Sequence, residues 1–444
     1  MGFQWQSKMH NDNIKTKKPE LLAPASGMEE LLVAFKYGAD AVYIGGEAFS
    51  LRAKAQNFTD EEIEQAIKYA HSLGKKIYIA INIFAHNSDI EDAINYFKFL
   101  NRINPDGAII SDPGMVSLAK EYMPNVPIHI STQSNTTNYM TCKFWYEQGI
   151  RRVVLARELS INEIKDIKSR MPEDFEIETF VHGAMCISYS GRCLLSAMFT
   201  NKSANLGACT HPCRWKYTLM DKKENIDFEN SSLVLEESER KGEYFPVFEN
   251  DRGTYIMNSK DLCMVEHIDD LVDAKIDSYK IEGRMKTPLY VSTIVRVYRK
   301  AIDDFFVNKD QYYKNMDFYK SEILKCTYRK YSTGFYYEKP DDNSQIYTDN
   351  TYVIGSVYYG TVEDIESEYI VLTQKNKFSV GDEIEIMKSN SENVITKVEE
   401  ILDYETGTKQ DSCPHSKQKL KVKLSVMPEK LDILRSHNIK ERDV

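Results

Sequence analysis

Eight short apolar runs, rich in β-branched residues, recur through the first two thirds of the chain. They are "ELLAP" at 20–24, "DAVYIG" at 40–45, "KIYIAIN" at 76–82, "GAIISD" at 107–112, "PIHIST" at 127–132, "RVVLA" at 152–156, "EIETFVHG" at 176–183 and "SYKIEG" at 278–283. Most are separated by amphipathic segments of helical length. In "TDEEIEQAIKYAHSLG" at 59–74, Thr59 and Glu62 suit an N-terminal capping box and Gly74 a C-terminal stop. A strand that returns to its sheet through a helix runs parallel to its neighbour, and eight such units predict a (β/α)8 TIM-like barrel. The spacing is uneven at one place. Strand seven ends at 183 and strand eight begins near 278, so an insertion follows strand seven.

At 444 residues the chain exceeds what one core usually supports. From about 346 the pattern changes to period-two alternation with Gly turns, as in "YVIGSVYYGTVEDIESEYIVLTQKNKFSVGDEIEIM", which predicts a small C-terminal β-barrel. The expected organisation is a disordered extension over 1–18, a barrel domain over 19–330 carrying a Cys-rich insertion at 184–260, the β-domain over 345–430, and a tail over 431–444. Hydrophobic residues make up 42% and charged residues 28%, a globular balance, and no apolar run reaches the ~18 residues needed to span a bilayer. The polar N-terminus lacks the apolar stretch of a signal peptide, so a cytoplasmic protein is expected. There, clustered thiols serve as metal ligands or redox groups more often than as disulfides.

In such barrels the loops after the strands form the active face. Polar residues gather at those strand ends: Asn82, Asp112, Ser131, Thr132, Gln133, Arg157, Glu158, Glu178, His182, Lys280, Glu282 and Arg284. Some of these will cap helices, but a ring of amides, carboxylates and guanidinium groups around one mouth suits a small polar anionic ligand.

Four of the eight cysteines, Cys186, Cys193, Cys209 and Cys213, lie at the start of the insertion, separated by six, fifteen and three residues. Four thiolates can hold tetrahedral zinc or an iron–sulfur cluster. Structural zinc favours two close pairs, and only the second pair here is close, so the spacing favours the cluster and leaves zinc as the alternative. Cys263, at the end of the insertion, is an alternative fourth ligand; Cys142, Cys326 and Cys413 are isolated. From Thr179 to Met220 there is no Asp or Glu, whereas 221–251 holds ten and reads as a solvated excursion. Net charge is −10, which excludes a generally basic nucleic-acid-binding surface. Locally, "CRWKY" at 213–217 can contact phosphate and stack on an unpaired base.

The segment "ETFVHGAMCISYSGRCLLS" at 178–196 resembles the signature of peptidase family U32, with Glu178, Phe180, Gly183, Ala184, Cys186, Gly191, Cys193 and Ser196 in place. The opening "ELLAPASGMEELLVAFKYGADAVYIGGEAFSLRA", the blocks "GTYIMNSKDL" and "YKIEGRMK", and "KNKFSVGDEIEIM" extend the resemblance over about 19–430. Within the family the chain looks most like the branch implicated in hydroxylating wobble uridine 34 of tRNA to 5-hydroxyuridine. The resemblance implies an O2-independent tRNA hydroxylase with prephenate as hydroxyl donor and a [4Fe–4S] cluster on Cys186, Cys193, Cys209 and Cys213. For such a reaction Arg157, Arg192 and Arg284, with Asn82 and Gln133, are candidates to hold the dicarboxylate, because bidentate guanidinium contacts suit carboxylates, and Glu178, His182 and Glu282 are candidates for proton transfer. Arg214, Trp215 and Lys216 would meet the tRNA anticodon loop.

Other classes are a U32 peptidase or collagenase, a 23S rRNA hydroxylase, and a non-catalytic Fe–S or RNA-binding accessory. Neither an HExxH zinc motif nor a GxSxG nucleophile elbow is present, so a peptidase would need one of the clustered thiols as nucleophile.

Overall fold

The structure, a computed structural model, describes residues 17–437 except 48, 51–56, 187, 339–352, 416 and the greater part of 191–259. Seven strands and six helices alternate: β1 (Glu20–Pro24), α1 (Met28–Lys36), β2 (Ala41–Ile44), α2 (Asp60–Ser72), β3 (Lys76–Ile81), α3 (Ile90–Ile103), β4 (Gly107–Ile110), α4 (Pro113–Tyr122), β5 (Ile128–Ile130), α5 (Tyr139–Glu147), β6 (Arg152–Val154), α6 (Ile161–Arg170) and β7 (Glu176–Gly183). After the insertion come α7 (Ile268–Asp273), β8 (Ser278–Ile281) and the 20-residue α8 (Pro288–Val307). Each strand pairs in parallel with the next, and β8 joins both β7 and β1, so the sheet closes into the expected eight-stranded barrel. Local chemistry agrees with this layout. Thr59 and Ser160 form capping boxes with Glu62 and Glu163 at the starts of α2 and α6, satisfying amides that a helix end leaves unpaired.

The strands are buried on both faces, which is why they read as continuous apolar runs. The barrel interior is nevertheless partly ionic. Arg152 reaches Glu20 at 2.6 Å, Glu176 at 2.7 Å and Glu178 at 3.5 Å, and Lys280 meets Glu178 at 2.7 Å. Tyr78 Oη donates to Glu20 at 2.7 Å. These charges are tolerated because each faces a partner at contact distance.

The insertion leaves β7 at Gly183 and returns as a strand at Asp261–Cys263, which lies antiparallel to the end of β7, Leu262 opposite Gly183 and Cys263 opposite His182. Between them, Tyr217–Asp221, Leu233–Glu237 and Tyr244–Val247 form a three-stranded antiparallel sheet. Part of the acidic 221–251 stretch, expected as a solvated excursion, is thus built into strands.

The C-terminal unit is a curled antiparallel sheet around its own core of Val362, Ile370, Leu372, Phe378, Ile384, Ile386 and neighbours. The expected tail from 431 begins later. Ile433–Ser436 is a fully buried strand that pairs with both Tyr358–Thr361 and Glu383–Met387. The side chains of Asp432 and Arg435 are both buried against partners. Arg435 contacts Glu322 at 2.9 Å and Glu385 at 2.5 Å, and Arg296 of α8 contacts the same Glu322 at 3.3 Å. Tyr37 Oη donates to the Met387 carbonyl and accepts from the Ile433 amide, which further ties barrel to sheet. Residues 1–16 of the expected extension and 438–444 of the tail lie outside the described residues. Among the described residues no helix is long and apolar enough to cross a membrane.

Candidate active site

One cavity occupies the C-terminal mouth of the barrel, and strands across the sheet contribute to its wall: Tyr43 from β2, Asn82 after β3, Gln133 after β5, Arg157 after β6, Phe180 in β7, and Lys280, Glu282 and Arg284 from β8 onward. The start of the insertion covers it. Cys186, Cys193, Cys209 and Cys213 all line the cavity, with Tyr189, Ser190, Arg192 and His211 between them. Residues scattered over more than two hundred positions in sequence therefore converge on one space. Of the expected site residues, Asn82, Gln133, Arg157, Arg192, Glu282, Arg284 and the four cysteines are brought together there.

Several are held firmly. Arg157 Nη1 donates to the Ala184 carbonyl at 3.1 Å and Nη2 to Glu282 at 3.1 Å, while its guanidinium lies 3.9 Å from the Phe180 ring centre. It fixes Glu282 and the exit of β7 more than it offers free donors. Arg284 Nη1 donates to Ser50 Oγ. Glu158 accepts from the Ser190 amide at 2.7 Å and from its hydroxyl at 3.0 Å, pinning the loop between Cys186 and Cys193 to the end of β6. Ser196, Thr200 and Thr210 form a hydroxyl cluster at 3.1 Å spacings, and the Thr210 amide donates to Ser196 Oγ at 3.0 Å, so the segment after Cys193 is joined to the one holding Cys209.

The cysteine sulfurs sit among amide donors. The His211 amide donates to Cys209 Sγ at 3.4 Å, and a hydrogen bond from the Ser188 backbone favours the Cys186 thiolate. The hydrogen bond with Cys193 first, then burial and the nearness of Cys213, push the Cys186 thiol above its ordinary value. Four sulfurs around one cavity, two of them with N–H donors, beside an excess of guanidinium groups, are a donor set of the kind a thiolate-held iron–sulfur centre uses. Among the described residues no three His, Cys, Asp or Glu side chains form a group that could hold a single metal ion. Cys263 lies apart. Its sulfur is 3.9 Å from Tyr298 Oη, burial pushes its thiol up to about 11, and it does not line the cavity.

Two residues expected in proton transfer are placed elsewhere. Glu178 is 0% exposed and forms the ionic layer beneath the cavity with Lys280 and Arg152. His182 packs against α8, its ring centre 5.5 Å from Tyr298 and 6.0 Å from Tyr290, and burial pushes its pKa down to about 3. The cause is a bulge in β7: Phe180 pairs with Lys280 but His182 pairs with Ile281, so the extra residue Val181 breaks the alternation that points Glu178 and Phe180 inward. Asp112 accepts from the Met115 amide as the cap of α4, and Ser131 caps the turn that follows β5.

Trp215 is half-buried, its amide donating to the Pro212 carbonyl, and Pro212 lines the cavity. The side chain of Arg214, and Lys216 altogether, lie outside the described residues. Lys280 and Tyr189 were not assigned a role from the sequence. Lys280 is 4% exposed, its Nζ 4.5 Å from the Tyr43 ring centre; burial lowers its pKa, with Arg284 adding to the shift and Glu178 opposing it. Tyr189 stands 63% exposed at the rim. Its signal in the sequence was an aromatic between two clustered cysteines.

The chain matches the description "Peptidase family U32" over residues 26–346 and "Peptidase family U32 C-terminal domain" over 355–435. It is 40% identical to tRNA hydroxylation protein P of Escherichia coli (strain K12) over 400 residues, covering 83% of this chain and 86% of that protein. To tRNA hydroxylation protein P1 of Bacillus subtilis (strain 168) it is 38% identical over 418 residues, 94% of each chain. An uncharacterized protease of Methanocaldococcus jannaschii is 40% identical over 327 residues, 73% of this chain and 74% of its own.

Proposed function

Because the chain belongs to peptidase family U32, we propose that it is a tRNA hydroxylase of the cytoplasm, forming 5-hydroxyuridine at wobble position 34 without O2, with prephenate as hydroxyl donor. The convergence of four cysteines and four cations on one barrel mouth supports this reading. So do the names of relatives that match most of the chain.

Cys186, Cys193, Cys209 and Cys213 would hold a [4Fe–4S] cluster, which when bound supplies one-electron chemistry at the cavity's lid. Arg192, Arg284 and Lys280 bind a dicarboxylate. The cavity wall carries Arg157, Arg192, Lys280 and Arg284 against the single carboxylate of Glu282, so an anionic ligand meets a positive field. Glu282 Oε2, fixed by Arg157 Nη2, is the one carboxylate on that wall among the described residues and takes or returns a proton at the pyrimidine. Tyr189 stacks on the unpaired base at the rim, and the Cys-rich cover excludes bulk water.

Anaerobic purification should give about four iron and four sulfide per chain, and Cys209→Ser should lose both. Mass spectrometry of tRNA from a deletion strain should lack 5-hydroxyuridine, restored by the wild-type chain but not by Glu282→Gln. Unchanged 5-hydroxyuridine in the deletion strain, with no second copy of the gene, would overturn the substrate; stoichiometric zinc in place of iron would overturn the cluster. One observation favours the peptidase reading: Cys209 Sγ lies 4.0 Å from His211 Nδ1. That reading requires peptide cleavage by metal-free protein, abolished by His211→Ala.

A further inference from the structure

We propose that the cleft between the turn after β8 and the C-terminal sheet is a track for an RNA phosphodiester backbone, leading into the barrel mouth. The inference rests on the tRNA reading above and extends it to the C-terminal unit. The cleft is walled on one side by Arg284, Met285 and Lys286, and on the other by Tyr359, Lys375 and Lys377. Arg284 lines both this cleft and the cavity, so the two spaces adjoin at one buried guanidinium.

Charge separates this cleft from the rest of the surface. The chain carries a net charge of −10, yet among the described residues four cations line the cleft, Lys375 of them paired with Glu29, against two acids, Glu30 and Asp382. Asp382 is already used, accepting from the Ser379 amide at 2.8 Å. A small carboxylate ligand would be enclosed in the cavity. An open, two-walled cleft adjoining that cavity fits a chain of phosphates whose one reacting nucleotide turns into the mouth.

The walls are held in register. Glu29 of α1 accepts from Tyr358 Oη at 2.9 Å and from Thr361 Oγ1 at 2.8 Å, and pairs with Lys375 at 3.0 Å. The cations of the sheet are thus placed relative to the barrel by direct contacts. Met285, more than half exposed, and Tyr359 add surfaces on which a base can rest. Lys377 is exposed, and Lys286 Nζ sits 5.1 Å from the Tyr290 ring centre at the cleft edge.

The test titrates a fluorescent anticodon stem–loop RNA with the full-length protein over a range of salt. Lys286→Ala/Lys377→Ala should bind about tenfold more weakly near 0.1 M salt, with a log K against log salt slope shallower by about 1.4, since each lost single-strand phosphate contact removes about 0.7. Lys120→Ala, on exposed α4 surface, should match wild type. If wild type binds the RNA and the double variant retains both affinity and slope, the cleft is not the track. If wild type does not bind it at any salt, the tRNA reading fails first, and the track with it. Displacement of the RNA by an acidic peptide at equal charge would point to a protein ligand and overturn the proposal.

Discussion

A buried charge is stable only with its partner, and Glu178 serves two cations at once, Lys280 at 2.7 Å and Arg152 at 3.5 Å. Glu178→Leu takes from Lys280 its 2.7 Å carboxylate, while Arg152 keeps Glu20 and Glu176, and should cost about 3–5 kcal/mol in urea unfolding, whereas adding Lys280→Met should restore part of that loss. Anionic ligand binding should remain lost in the double variant, because Lys280 is part of the cavity wall. His182 makes a second prediction. Folded, it takes a proton only below about pH 3; unfolded, near its ordinary 6.5. As pH falls from 6.5 towards 3 the unfolded chain gains a proton that the fold refuses, so stability falls by on the order of 1 kcal/mol per unit. Lys286 adds to the shift, and the neighbouring tyrosines stay neutral through this range. The urea midpoint of His182→Gln should therefore drop less between pH 6 and pH 5 than that of wild type, with His129 retaining its own share in both.

Among the elements, β7 and β8 decide which side chains reach the reaction space. The positions of all eight barrel strands were legible, because parallel strands buried on both faces must be short and apolar, and the helices between them carry their own stop signals. The strand-end residues were legible for the same topological reason. What period-two reading could not supply is the bulge at Val181, a single inserted residue that leaves no compositional trace and turns His182 towards α8. The ion pair that buries Glu178 was equally hidden, since Arg152, Glu178 and Lys280 meet only once β6, β7 and β8 lie side by side. Gly183 ends β7 with φ +111, and a Cβ there would lie 2.5 Å from the Glu282 carbonyl oxygen. Gly183→Ala should lower thermal stability by about 1–3 kcal/mol and, by moving Glu282, weaken dicarboxylate binding measured by calorimetry.

For the whole molecule, the barrel and the C-terminal sheet are joined through polar groups that water does not reach. Arg435, 0% exposed, bridges Glu322 and Glu385, within a segment read from the sequence as a tail. Arg435→Leu removes the closest cation of Glu385 and leaves Glu322 to Arg296 and Lys325, and should cost about 3–5 kcal/mol. Calorimetry should then show two thermal transitions where wild type shows one, because the sheet has a separate apolar core. If the variant still melts in one step at the wild-type temperature, the contact does not couple the two units.

The insertion departs from β7 at Gly183 and rejoins beside the same residue, with Leu262 opposite it. Its two ends are neighbours in the sheet, so the segment between them can be lengthened, trimmed or exchanged without rethreading the eight strands. A lineage can thus alter what is admitted at the mouth while the ionic floor is inherited unchanged, and a graft from a relative at these two joints is the most economical way to transplant specificity.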